Sequence, residues 1–69
     1  MKRLFVVQHL IRSGCTLDSE EPTHSNWSNP ENDKQTQVPR QTDISSSDAA
    51  SIYDDLGLAH PIDTVTQIH

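Results

Sequence analysis

Aromatic side chains and long apolar runs are scarce in this sequence. Aromatic residues make up 4% of the 69 residues, and apolar residues of all kinds make up 32%. No segment approaches the roughly 18 consecutive apolar residues of a membrane-spanning helix. A chain of this size with few large apolar side chains buries too little surface to offset the entropy of ordering every residue. We therefore expect at most one small, partly ordered domain.

Cysteine is almost absent, which excludes two kinds of site. With Cys15 alone, no intrachain disulfide and no zinc site built from cysteine pairs can form. The 4 histidines are spread along the chain without the spacing of metal ligands. We therefore predict no metal and no cofactor.

Basic residues are also few. The chain has 5 Lys and Arg against 10 Asp and Glu, for a net charge of −5, which argues against binding to nucleic acid or to an anionic membrane. The apolar run after Lys2 and Arg3 is interrupted at Gln8, so it is too short for a secretory signal. We therefore expect a cytoplasmic protein.

Three regions of different composition follow one another along the chain. Residues 3–9 hold a continuous apolar run with β-branched and aromatic side chains, which predicts a strand buried on both faces. Residues 13–43 are rich in small polar residues, acidic residues and proline, which predicts a disordered loop. Near the end, residues 62–68 are rich in β-branched side chains and predict a second strand.

A helix is predicted over residues 46–56. Serines precede it as candidate N-caps, and four apolar side chains then recur at helical spacing, Ala49, Ile52, Tyr53 and Leu56. The resulting order of strand, loop, helix and strand is one βαβ unit. It predicts the α/β class with a parallel sheet.

The segment "KRLFVVQHLIRSG" resembles the first strand and phosphate loop of the histidine phosphatase superfamily, the phosphoglycerate mutase-like proteins. "DISSSDAASIYDDLGL" is similar to the family's first helix and "HPIDTVTQI" to its next strand. Within the family, the segments are most similar to ecdysteroid-phosphate phosphatases and ubiquitin-associated, SH3-containing phosphatases. The resemblance implies one βαβ unit of a three-layer α/β/α fold. It also implies that His9 is the catalytic nucleophile, that Arg12 binds phosphate, and that the ligand is a phosphorylated small molecule or a phosphoprotein.

Two departures from the family's Arg-His-Gly pattern predict a loss of activity. Gln8 stands where the family has arginine, and it brings no charge to the phosphate oxygens. Leu10 stands in place of the glycine that lets backbone N–H groups approach the phosphate. The family's second arginine, its carboxylate acid and its second histidine would all lie beyond His69. We therefore expect a truncated, inactive relative.

Other interpretations of the sequence stay open. The chain could be the N-terminal part of an active phosphomonoester phosphatase or phosphoglycerate mutase-like enzyme that continues after His69. It could also be a non-enzymatic, acidic, disordered interaction segment, as the composition of residues 13–43 suggests. His9 is then a non-catalytic residue and Arg12 a solvated cation. The substrate and the oligomeric state are not predicted.

Overall fold

Two helices pack on a three-stranded antiparallel sheet, which together make a small α/β domain. The computed structural model describes residues 1–61, so the strand predicted at 62–68 lies outside the described residues. In chain order the elements are α1 (Arg3–Arg12), β1 (Thr16–Glu20), β2 (His24–Asn29), β3 (Lys34–Pro39) and α2 (Ser46–Asp55).

The apolar run near the N-terminus forms a helix, so the prediction of a strand over residues 3–9 is wrong. Val6 and Leu10, four residues apart, are fully buried on one side of α1, as expected for neighbours on a helix surface. The run looked like a strand buried on both faces because α1 also carries apolar side chains on its solvent side. A run of four apolar residues covers a full helical turn as readily as it covers both faces of a strand.

Residues 13–43 contain the three strands of the sheet that residues 1–61 form, so the prediction of disorder there is also wrong. The central strand β2 pairs antiparallel with β1 on one side and β3 on the other. Its residues Ser25, Trp27 and Asn29 are buried, and the residues between them are partly exposed. This is the period-two pattern of a strand with one covered face, although only one of the buried residues is large and apolar.

Short hairpin turns make the sheet antiparallel instead of parallel as predicted. In the β2–β3 turn, the side-chain oxygen of Asn29 accepts from the Glu31 N–H at 3.1 Å, and Pro30 follows Asn29 directly. Asp33 has a φ of 60°, in the left-handed region that Asn and Asp tolerate better than most residues. Two strands joined by such a turn can pair only antiparallel, since a parallel pair needs a long crossover.

The helix predicted over 46–56 is present as α2. The Ser45 hydroxyl accepts from the Asp48 N–H at 3.1 Å and caps the helix. The apolar face expected from the sequence is buried: Ala49, Ile52, Tyr53 and Leu56. Gly57 ends the helix with a φ of 69°, and a Cβ there would lie 2.7 Å from the Asn32 side chain.

Both helices lie against the same core, which also contains Trp27 and Val38 of the sheet. The N-terminal end of α1 is held by backbone bonds to the segment after β3, from Arg3 N–H to the Thr42 carbonyl at 2.8 Å and from Ile44 N–H to the Met1 carbonyl at 2.7 Å. The Arg3 side chain donates to the Pro39 carbonyl at 2.8 Å. α1 is therefore docked by residues more than 35 positions later in the chain.

Candidate interaction surface

His9 lies in the C-terminal half of α1 and not at the end of a strand. Its Nε2 is 2.8 Å from the Ala59 carbonyl oxygen. Because a carbonyl only accepts, Nε2 carries the proton in this contact. The imidazole also meets the Tyr53 ring edge-on, with 5.0 Å between ring centroids. His9 thus links α1 to α2 and to the segment after it.

Arg12 is exposed in the last turn of α1. Its charge there is favourable because the C-terminal end of a helix carries partial negative charge. Within residues 1–61, its side chain makes no ion pair with a carboxylate. His9 and Arg12 are therefore on the same helix, but the residues that the structure describes form no phosphate cradle around them.

The end of α1 is unsuited to binding an anion for a further reason. Anions bind at helix N-termini, where free N–H groups point outward, whereas this end presents carbonyl oxygens. Those carbonyls are already used by the turn that follows, since Ser13 N–H donates to His9 O, Gly14 N–H to Ile11 O and Cys15 N–H to Leu10 O. The predicted role of Arg12 as a phosphate ligand has no geometric support among the described residues.

The structure brings together a polar cluster that the sequence did not reveal. His60 Nε2 donates to Asp54 Oδ1 at 2.9 Å, and the His60 ring lies 5.5 Å from the Tyr53 ring. The sequence gives no periodic signal for this contact, because the turn at Gly57 leads the chain back along α2. Both partners of this hydrogen bond are well exposed, so the contact contributes little to stability.

The most unusual surface of the domain is the solvent side of α1. Leu4 and Phe5 are each 60% exposed and Ile11 is 58% exposed. Leu4 and Ile11 lie seven residues apart, so they fall on the same side of the helix two turns apart. We call the solvent side of α1 the outer face and define it by five exposed residues, Leu4, Phe5, Gln8, Ile11 and Arg12.

The outer face also differs in charge from the rest of the chain. The stretch from Met1 to Arg12 contains Lys2, Arg3 and Arg12 and no acidic residue, while the whole chain has a net charge of −5. The positions of the apolar residues in the sequence of α1 indicate the outer face. Apolar residues occur on both the buried and the solvent side of α1. A helix with apolar side chains on both sides is normally buried by other parts of a protein on both sides.

The fold and its surfaces place the chain in the broad class of small α/β domains. Searches against protein-family models, curated proteins and solved structures find no match.

Proposed function

We propose that the chain is a non-enzymatic interaction module whose outer face binds an amphipathic segment with apolar and acidic side chains. One observation carries the proposal, which is the exposure of three large apolar side chains on one helix. Exposed apolar surface of this kind marks interaction sites in folded proteins. Burying each of these side chains fully against a partner is worth about 1.5–3 kcal/mol.

The charges beside the apolar residues select the partner. Arg12 lies at one end of the outer face and Lys2 precedes its other end. If two copies packed through α1 in antiparallel orientation, Lys2 of one copy would approach Arg12 of the other, and like charges would repel. A segment with carboxylates flanking its apolar residues meets both cations favourably. Charge complementarity therefore favours an acidic amphipathic helix over a second copy.

Two designed peptides test this proposal. Both are 16-residue amphipathic helices with leucine on one face, and the other face carries glutamate in one peptide and lysine in the other. We expect the glutamate peptide to bind, as measured by fluorescence anisotropy, and the lysine peptide not to bind. Phe5→Ser should weaken binding by about tenfold or more, because a lost apolar contact of about 1.4 kcal/mol corresponds to a factor of ten.

A matched variant separates the outer face from general apolar exposure. Leu17 is 46% exposed on β1 and is not one of the residues of the outer face, so Leu17→Ser should bind the glutamate peptide like the unmodified chain. Equal binding of both peptides would contradict the proposal. Dimerisation in sedimentation experiments that Phe5→Ser abolishes would also contradict it, as would Phe5-dependent binding to anionic phospholipid vesicles.

The resemblance to histidine phosphatases remains a prediction, and with it the phosphoglycerate mutase-like fold. That fold requires residues 3–9 to be a strand ending at His9, whereas these residues are helical. An inactive chain is compatible with the interaction module proposed here. A phosphohistidine enzyme would need cations around the imidazole, and the contacts of His9 in residues 1–61 are a backbone carbonyl and a tyrosine ring.

A further inference from the structure

The outer edge of β3 has hydrogen-bonding groups directed away from the sheet. Arg40 N–H donates to the Thr23 carbonyl, which makes the pair of His24 and Pro39 a non-hydrogen-bonded pair of the β2–β3 ladder. Bonding alternates along an antiparallel ladder. The backbone groups of Gln35 and Gln37 therefore point away from β2, as the Pro39 carbonyl does when it accepts from Arg3.

The two edges of the sheet are not equivalent. β1 has a bulge between Leu17 and Ser19, and a bulge disrupts the regular array of groups that another strand would need. β3 pairs with β2 in unbroken register from Lys34 to Pro39. Of the two edge strands, β3 is thus the one with a regular outer edge, and within residues 1–61 no further strand pairs with it.

A groove of about 200 Å³ lies between this edge and α2. Gln37 and Pro39 border it on the strand side, and Asp48, Ile52 and Asp55 border it on the helix side. Ile52 and the proline ring provide an apolar part, and the two carboxylates provide negative charge. The groove therefore combines a strand edge, apolar surface and acidic groups along one line.

The two carboxylates are spaced along the groove. Asp48 and Asp55 are seven residues apart on α2, which corresponds to about 10.5 Å along the helix axis. Asp55 is held in place because the Thr36 hydroxyl donates to its Oδ2 at 2.9 Å. Within residues 1–61, neither carboxylate forms an ion pair with a cation.

We propose that the β3 edge and its groove bind an extended basic segment of a partner protein, which adds to the sheet as a fourth strand. Backbone bonds to Gln35 and Gln37 would supply the docking, and lysine or arginine side chains would reach Asp48 and Asp55. Side chains on one face of a strand are spaced by about 6.6–6.8 Å for alternate residues. Long basic side chains at alternate positions can therefore reach both carboxylates. Strand addition of this kind is a general way of recognising extended peptides.

The test uses the full chain and two blocked heptapeptides. One has lysine at its third and fifth positions with valine between them, and the other has glutamate at those positions. In amide-resolved NMR we expect the lysine peptide to shift the Gln35 and Gln37 signals and to slow their hydrogen exchange about tenfold or more. The glutamate peptide should do neither. Asp48→Asn combined with Asp55→Asn should weaken lysine-peptide binding about tenfold, since the asparagine at 55 still accepts from Thr36.

A pair of variants at one position separates docking from folding. The one backbone hydrogen-bonding group that Gln37→Pro removes is an N–H that points away from β2, and an edge strand tolerates proline on that side. It should keep the circular dichroism spectrum of the folded chain and lose peptide binding. Gln37→Thr keeps the N–H and should bind normally. Undiminished binding by folded Gln37→Pro would overturn the proposal, as would equal binding of both peptides or no signal change at millimolar lysine peptide.

Other occupants of the edge would also be detected. If residues 62–69 of the chain covered it, the Gln35 and Gln37 amides would exchange slowly in the free chain at every protein concentration. If a second copy covered it, their exchange would slow as protein concentration rises. Either result would overturn the proposal. Fast, concentration-independent exchange in the free chain is the result that the proposal requires.

Discussion

The two helices have the same length and opposite character. α1 and α2 each span ten residues. α1 is basic, carries apolar side chains on both its buried and its solvent side, and has Lys2 as an N-cap residue that makes no side-chain bond. α2 is acidic, apolar on one face only, and capped by Ser45. The residues of α2 alone specify a surface helix, whereas the helical structure of α1 depends on its contacts with other parts of the chain.

The difference explains why one helix was predicted and the other was not. For α2, capping and periodicity agree, and agreement between local signals is what makes a sequence specify one structure. For α1, the run from Leu4 to Val7 suits a buried strand equally well. The choice is made by contacts with residues far away in sequence, such as the bond from Arg3 to Pro39.

The largest effect that we predict is a difference in stability between alanine substitutions on the buried side and on the solvent side of α1. Leu10→Ala removes a fully buried side chain and should lower the free energy of unfolding by about 2–5 kcal/mol. Leu4→Ala, on the outer face, should change it by no more than about 0.5 kcal/mol. Urea unfolding of both variants measures the contrast. Equal losses would show that the outer face is buried in the free chain.

Substitutions at the helix caps should change the free energy of unfolding by less than Leu10→Ala does. Ser45→Ala removes the bond to the Asp48 N–H and should destabilise the chain by about 1 kcal/mol. Lys2→Ser supplies the cap that α1 lacks, and because Lys2 already has extended backbone angles, it should stabilise by up to about 1 kcal/mol. The measurement is again urea unfolding. A loss of stability in Lys2→Ser would mean that the lysine makes a contribution of its own.

High pH should lower the free energy of unfolding of the chain. Burial raises the pKa of the Cys15 thiol above its ordinary value of 9.0, with a second contribution from the Glu31 carboxylate, and burial raises the pKa of Tyr53 above 10.0. The protonated forms are the neutral ones, so the unfolded chain releases these protons first as the pH rises. The free energy of unfolding should therefore be unaffected by these groups below pH 9.0 and should fall above it.

A single variant separates the two contributions to this pH dependence. Cys15→Ala should remove the part of the decline that begins near pH 9.0 and keep the part that begins near 10.0. Denaturant unfolding at a series of pH values measures both. A Cys15→Ala chain with an unchanged profile would assign the whole decline to other groups.

The smallest effect concerns phosphatase activity, where we expect none. The purified chain should hydrolyse an aryl phosphate no faster than buffer, because phosphoryl transfer depends on positioned cations and His9 has none among its contacts in residues 1–61. His9→Ala should give the same background rate. Turnover in the unmodified chain that disappears in His9→Ala would show instead that the resemblance to histidine phosphatases extends to catalysis.

The strands of the sheet could not be predicted from the hydrophobic pattern of the sequence. β2 buries Ser25 and Asn29 beside its one large apolar residue, Trp27, so hydrophobic periodicity gives almost no signal. Their burial is made possible by partners that are distant in sequence. Arg3 donates to the Ser25 hydroxyl at 2.9 Å, and Asn29 donates to the Leu56 carbonyl at 2.9 Å.

The turn between β2 and β3 was predictable from its residue types. The stretch "NPEND" from Asn29 to Asp33 combines an Asn that accepts from the backbone, a proline and a residue with positive φ. Such residues mark turns for identifiable physical reasons. They predict a hairpin between two short segments even though those segments are polar. The groove beside β3 was beyond prediction, because it depends on how α2 lies against that strand.

The docking of α1 by later residues has a consequence for the order of events during synthesis. α1 leaves the ribosome before the later residues that share its core, such as Ile44 and Tyr53. At a translation rate of about 5–20 residues per second, these residues emerge roughly 2–10 s after α1. During that time the apolar residues on both of its sides are accessible at once. The nascent chain should therefore be most prone to capture by chaperones, or to association with other chains, before α2 emerges.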